Sequence, residues 1–177
     1  MKVCVLGAGG LLGHMLIRVL SESNDVFGTT REELDASSSL AKFLSPEKWI
    51  SKVDASNVDS VKKVFDVDQF DVAINCIGLI KQRNSLVSDN EMMIINGEFP
   101  HHLVQIANSR DTQVIHISTD CVFSGTKGSY LESDTPDPID VYGKSKLLGE
   151  LNDSQNLTLR TSHIGRELTV KKSLLSG

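Results

Sequence analysis

A short β-branched run from Lys2 to Leu6 ends at Gly7-Ala8-Gly9-Gly10-Leu11-Leu12-Gly13, and apolar residues at helical spacing continue from Leu11 to Leu20. This is strand, glycine turn, helix, and it constrains the fold more than any other stretch. Gly7 permits a tight turn, Gly10 lets backbone N–H groups approach an anion, and Gly13 permits close helix–strand packing. The helix N-terminus adds a preference for negative charge, so the unit reads as a pyrophosphate cradle. A glycine-rich helix start without a ligand is the plainer alternative; the flanking strand and amphipathic helix favour the cradle.

The rest of the chain keeps alternating. Strands are predicted at Asp25–Thr29, Trp49–Val53, Asp71–Ile77, Gln113–Ser118 and Leu157–Thr161. Between them fall a helical turn at Leu40–Leu44 and helices at Val58–Phe65, at Asn90–Ser109 despite Pro100, and at Val141–Leu151. Alternation of this kind implies an α/β fold, a Rossmann-like doubly wound parallel sheet with helices on both faces and right-handed crossovers. Residues 1–165 form the expected dinucleotide-binding domain. From Ile164 to Gly177 the pattern is used up, and 166–177 is expected to open an incomplete substrate-binding region.

Composition narrows the function classes. The 177 residues, 40% hydrophobic, support one substantial core. A net charge of -5 without a basic cluster leaves no electrostatic footprint for nucleic acid or an anionic membrane. Cys4, Cys76 and Cys121 show no CxxC pairing, which argues against a disulfide framework or zinc site and fits a reducing cytoplasm. The apolar start MKVCVLGAGG is too short for a signal sequence or membrane span. His101 and His102, adjacent on a helix, point about 100° apart and have no third ligand in reach, so no metal is expected. His14 and His116 lack partners and receive no role.

A second constellation lies downstream. Tyr142 and Lys146 in YGKSK are spaced to share a helix face, where the Lys146 ammonium would lower a phenol pKa that otherwise sits near ~10. Thr119, delivered from a strand end, can hydrogen-bond the same substrate oxygen, and Lys146 can reach the hydroxyls of a nicotinamide ribose. An exposed helix pair is the alternative; the order glycine turn, Asn96, Thr119, Tyr142, Lys146 favours chemistry. After the second strand the chain reads Gly28-Thr29-Thr30-Arg31, with no acid for an adenosine ribose. Arg31 suits a 2′-phosphate, so NADP(H) is favoured and NAD(H) remains possible. Arg31 could instead pair with Glu32 or Glu33 at the surface. Asp54 could accept from an adenine amino group or be a plain turn acid.

With these residues in view, the chain resembles the extended branch of the short-chain dehydrogenase/reductase superfamily, most closely the dTDP-4-dehydrorhamnose reductases. The resemblance runs from Met1 to about Gly165 and rests on GAGGLLG at 7–13, STDCVFSG at 118–125, the Glu132–Pro138 loop leading into YGKSK at 142–146, and LRTS at 159–162. It implies a catalytic triad of Thr119, Tyr142 and Lys146, hydride from NADPH or NADH to a sugar 4-keto carbon, and Tyr142 as general acid. Asn96 matches the asparagine that interrupts helix hydrogen bonding and holds a water near the lysine. The implied cofactor set is Gly7, Gly10, Leu11, Leu12, Gly13, Arg31, Asp54, Ala55, Cys76, Ile77 and Gly78, with Tyr142 and Lys146. Asp120, Cys121 and His163 lie where a sugar could touch. Cys121 stands where these reductases commonly have Tyr, and His163 where they commonly have an aromatic residue. Related dehydratases need Glu at the Cys121 position, which argues against dehydration.

The implied partner is a nucleotide sugar, with a homodimer possible. Related reductases continue into a small C-terminal domain that closes over the sugar nucleotide, and this chain is expected to lack most of it. A non-catalytic dinucleotide-binding module, or another extended short-chain reductase or epimerase, stays open as the other reading.

Overall fold

The computed structural model describes residues 1–34, 38–80 and 87–162. Six strands, β1 (Lys2–Leu6), β2 (Asp25–Thr29), β3 (Trp49–Ile50), β4 (Val72–Asn75), β5 (Gln113–Ser118) and β6 (Leu157–Arg160), form one sheet in the order β3-β2-β1-β4-β5-β6. Every neighbouring pair is parallel. The strand order reverses between β1 and β4, and in open parallel sheets the crevice at that switch is where ligands bind.

Alternation along β1 sorts its side chains to two cores. Val3 and Val5 pack with Val26, Val72 and Ile74 against Ile17 of α1 (Leu11–Leu20). Cys4 and Leu6 face the other layer, with Val61, Val64 and Phe65 of α2 (Val58–Val67) and Phe99, Leu103 and Ala107 of α4 (Phe99–Asn108). Phe70 anchors that layer, edge-on to Phe27 at 5.3 Å and to Phe65 at 6.1 Å. The predicted doubly wound sheet is therefore the observed one.

Several boundaries differ. β3 stops at Ile50 rather than Val53 because Lys52 takes a positive φ of 63°, which turns the chain out of the ladder before Val53 N–H returns to the Thr30 carbonyl at 3.0 Å. β4 ends at Asn75, whose side chain accepts from Ile77 N–H at 3.0 Å in place of a strand partner. The expected helix Asn90–Ser109 is three pieces: α3 (Asp89–Met92), a π-helical segment Met93–Glu98, and α4, with Pro100 in its first turn where no N–H is required. A π bulge admits one extra residue per turn and interrupts the regular ladder around Asn96. The last helix, α5 (Val141–Leu148), stops before Leu151. A Cβ on Gly149 would fall on the Asn96 carbonyl oxygen, so only glycine lets the end of α5 close against the π segment.

Candidate active site

The glycine turn is built as its residue types require. Gly7 has φ +79°, a conformation L side chains rarely adopt, and a Cβ on Gly13 would fall on the Gly7 carbonyl oxygen and 2.9 Å from Ala8 Cα. Thr29 holds the turn from β2: its hydroxyl accepts from Gly7 N–H at 3.2 Å, and its carbonyl accepts from Ala8 N–H at 3.0 Å. Gly10 caps α1 without a side-chain hydrogen bond, and no acid occupies the first turn. The helix N-terminus thus keeps its positive end for an external anion.

A cleft of about 830 Å³ opens over this turn, lined by Gly7 and Gly10, by Arg31, Asp54 and Ala55 on one wall, and by Cys76, Ile77 and Gly78 on the other. Arg31 pairs with Asp54 at 3.4 Å, and Glu33 pairs with Lys52 rather than with Arg31 as the plainer alternative had it. Asp54 also accepts from Ser56 N–H at 2.9 Å and Ser56 Oγ at 2.7 Å. The Ser56 hydrogen bonds, then Arg31, hold its carboxyl below the usual carboxylate range. Asp54 thus closes a turn with Ser56 and faces Arg31 at the cleft wall.

A smaller cleft of about 300 Å³ adjoins the first along Gly10 and Cys76–Leu79, and it is lined further by Leu11, Leu12, Tyr142 and Lys146. Asp140 starts α5 by accepting from Gly143 N–H at 2.8 Å. A Cβ on Gly143 would meet the Cys121 carbonyl oxygen, so this glycine brings α5 against the turn Thr119–Cys121. Thr119 lies beside Tyr142, accepts from Cys121 N–H at 3.2 Å and donates to Asp120 Oδ1 at 3.2 Å. Asp120 and Cys121 are exposed and near enough to act on Tyr142, while His163 lies outside the described residues.

The electrostatics correct one expectation. Burial pushes the Tyr142 phenol up, the Thr119 hydroxyl pulls it part of the way back, and nearby Cys121, Asp120 and Asp140 raise it further. Lys146 makes no contribution to that shift; its buried Nζ donates to the Ile117 carbonyl at 2.7 Å with His116 Nε2 at 3.4 Å. Burial brings Lys146 down to about 8, against the opposing pull of Cys76 and Glu150. The same burial, with the Lys146 charge, pushes His116 down to about 3, while Cys76 rises to about 12 for lack of solvation.

Asn96 sits in the π segment, where the regular helix ladder is interrupted as the resemblance implied, and its side chain is fully engaged. Its Oδ1 accepts from Leu79 N–H at 2.8 Å, and its Nδ2 donates to the Leu79 carbonyl at 2.9 Å and to Ser145 Oγ at 3.0 Å. The side chain staples the loop after β4 to α5, with its backbone carbonyl covered by Gly149.

Sequence reasoning passed over four residues that matter here. Thr29 braces the glycine turn, and His116 touches Lys146. Glu150, buried, takes Ser118 Oγ at 2.8 Å and both Arg160 Nε at 2.8 Å and Nη2 at 2.7 Å, tying β6 to the end of α5. For His116 there was a signal: His116 and Ser118 alternate on one face of an otherwise apolar strand, and polar groups in a buried strand need partners. His101 Nε2 lies 2.7 Å from the Leu148 carbonyl, which leaves it serving the end of α5.

Known proteins share this fold. A protein of Haloferax volcanii described as a probable low-salt glycan biosynthesis reductase, Agl14, is 34% identical over 152 residues, covering 85% of this chain and 48% of that protein. A crystal structure of a hypothetical dTDP-4-dehydrorhamnose reductase from Sulfolobus tokodaii aligns with a TM-score of 0.73 and 32% identity, over 90% of this chain and 55% of that one. A dTDP-4-dehydrorhamnose reductase from Bacillus anthracis, solved in complex with NADP, aligns with a TM-score of 0.64 and 26% identity over 84% of this chain and 47% of that one. The chain spans about half the length of the curated relatives it matches. The family model described as the RmlD substrate binding domain matches residues 1–165, and the chain belongs to that family.

Proposed function

We propose that this chain supplies the dinucleotide-binding and proton-donating half of a reductase that acts on a nucleotide-linked 4-keto-6-deoxy sugar, with NADP(H) favoured over NAD(H). The observation that carries the reading is the continuity of the two clefts: the glycine turn opens into the space that Tyr142 and Lys146 line, with Thr119 beside Tyr142. The residues fit a dinucleotide. The cradle at Gly7 and Gly13 is one a Cβ would fill, and the N-terminus of α1 has no side-chain cap. Arg31 at the wall of the larger cleft suits a 2′-phosphate, and the Bacillus anthracis relative is a complex with NADP.

A bound nicotinamide would supply hydride. The chain's own residues supply the rest. Burial keeps the Tyr142 phenol protonated through neutral pH, so its hydroxyl donates to a carbonyl oxygen that is gaining charge. The Thr119 hydroxyl, beside Tyr142, would hydrogen-bond the same oxygen. Asn96, through Leu79 and Ser145, fixes the loop after β4 against α5 and so sets the width of the smaller cleft. Described residues include no helix long and apolar enough to cross a membrane.

The test is turnover. In a form of the protein that oxidises NADPH in the presence of a dTDP-4-keto-6-deoxy sugar, Tyr142→Phe should cut the rate by about 10²–10⁴-fold, the usual range for a lost general acid. NADPH affinity should stay within about twofold, since the change removes one hydroxyl from the reacting end. Near wild-type turnover in Tyr142→Phe would move the acid to another residue.

A further inference from the structure

Behind the smaller cleft lies a buried polar chain that the proposed chemistry does not use. Asn75 and His116 are fully buried, and Lys146 is 4% exposed. Ile77 N–H can only donate, so the Asn75 atom that faces it at 3.0 Å is the oxygen. Asn75 Nδ2 therefore donates to His116 Nδ1, 3.0 Å away. A neutral imidazole that accepts at Nδ1 carries its proton on Nε2. That Nε2–H faces Lys146 Nζ at 3.4 Å, and Nζ in turn donates to the Ile117 carbonyl at 2.7 Å.

An ammonium at Nζ would set donor against donor. An amine satisfies every group: its lone pair accepts from Nε2–H while one of its hydrogens serves Ile117. We propose that His116 is a positioning residue for Lys146: with its proton locked on Nε2 by Asn75, it lowers the cost of the lysine amine relative to the ammonium and pins Nζ against the Ile117 carbonyl. Lysine burial points the same way, bringing the group down to about 8, although Cys76 and Glu150 favour the ammonium. Tyr142, a turn away on α5, lines the same cleft. His101, the other titratable group acting on His116, disfavours an imidazolium just as Lys146 does. The proposal concerns the ligand-free chain and stands apart from which ligand the cleft takes.

Nitrogen NMR of His116 in the ligand-free chain reads the tautomer directly. The expected result is a proton on Nε2 above neutral pH; a proton on Nδ1 would overturn the proposal. Lysine side-chain NMR against pH, with the Lys146 signal assigned by its loss in Lys146→Arg, should show a midpoint near 8. A midpoint at the ordinary value of about 10.4 would overturn it as well. His116→Gln, whose amide can turn its oxygen to an ammonium, should raise the midpoint by about one unit or more. Asn75→Asp should reverse the tautomer and raise the midpoint too. A folded variant of either kind with an unchanged midpoint contradicts the positioning role, which simple packing would leave without effect on the titration.

Discussion

The two ends of the cleft are built on opposite principles. On the β2–β3 side, Arg31 and Asp54 have 74% and 34% of their side chains exposed, and the neighbouring Lys52–Glu33 pair is more exposed still. Pairs of this kind contribute about 0–1 kcal/mol and rearrange readily. On the β4–β5–α5 side, Asn75, Asn96, His116 and Ser145 are fully buried. Each makes a hydrogen bond to a separate element. One end can therefore adapt its charges to what it holds, whereas the other holds its geometry before anything binds. Preorganisation belongs at the end where the proposed proton transfer would take place.

The comparison breaks most visibly with pH. His116 is held down to about 3 from 6.5, so between those values the unfolded chain takes up a proton that the folded chain refuses. Stability should be lost as pH falls through that window, at up to about 1.4 kcal/mol per pH unit. Lys146 acts in a second window: between about 8 and 10.5 the unfolded chain again binds the extra proton, so stability should rise with pH there. Denaturant unfolding across both windows checks the signs. Removing the buried base in His116→Gln should flatten the acid limb, while changing Arg31 should leave both limbs as they are.

A smaller effect sharpens the contrast in packing. Gly149→Ala places a methyl on the Asn96 carbonyl and should cost about 1–3 kcal/mol of stability, read as a lowered unfolding midpoint at unchanged m-value. A midpoint equal to wild type would show that α5 and the π segment can part at little expense, against the rigid reading of that end.

The smallest expected effect lies at the adaptable end. Arg31→Ala should reduce the preference for NADPH over NADH by about 1.5 kcal/mol, the low end for a charged hydrogen bond because the side chain is exposed. Titration with both nucleotides measures it. An unchanged preference would remove Arg31 from phosphate recognition.

Much of the fold was legible in the sequence for a physical reason. β1, α1, β2 and β5 carry their boundaries in local signals: glycines at Gly7 and Gly10, apolar runs of strand length, and apolar spacing near 3.6. What escaped was whatever depends on long-range contact or on a single inserted residue. Hydropathy from Asn90 to Ser109 fits one helix, and a π bulge leaves that periodicity almost intact, so only the resemblance at Asn96 pointed to the interruption at Met93–Glu98. The spacing of Tyr142 and Lys146 gave a shared helix face correctly. It could not reveal that Lys146 is drawn under the sheet by Ile117 and His116, residues about thirty positions away in sequence. The staple from Asn96 to Leu79, and the clasp of Glu150 on Arg160, were hidden for the same reason.

The claim on which the rest depends is that the glycine turn binds a dinucleotide. Calorimetric titration of NADPH into the 177-residue chain tests it directly. The account predicts saturable binding with one nucleotide per chain, abolished in Gly13→Val, whose side chain must displace the Gly7 carbonyl and the start of α1. Absence of saturable binding by the folded wild-type chain, or equal binding by a folded Gly13→Val, would contradict it.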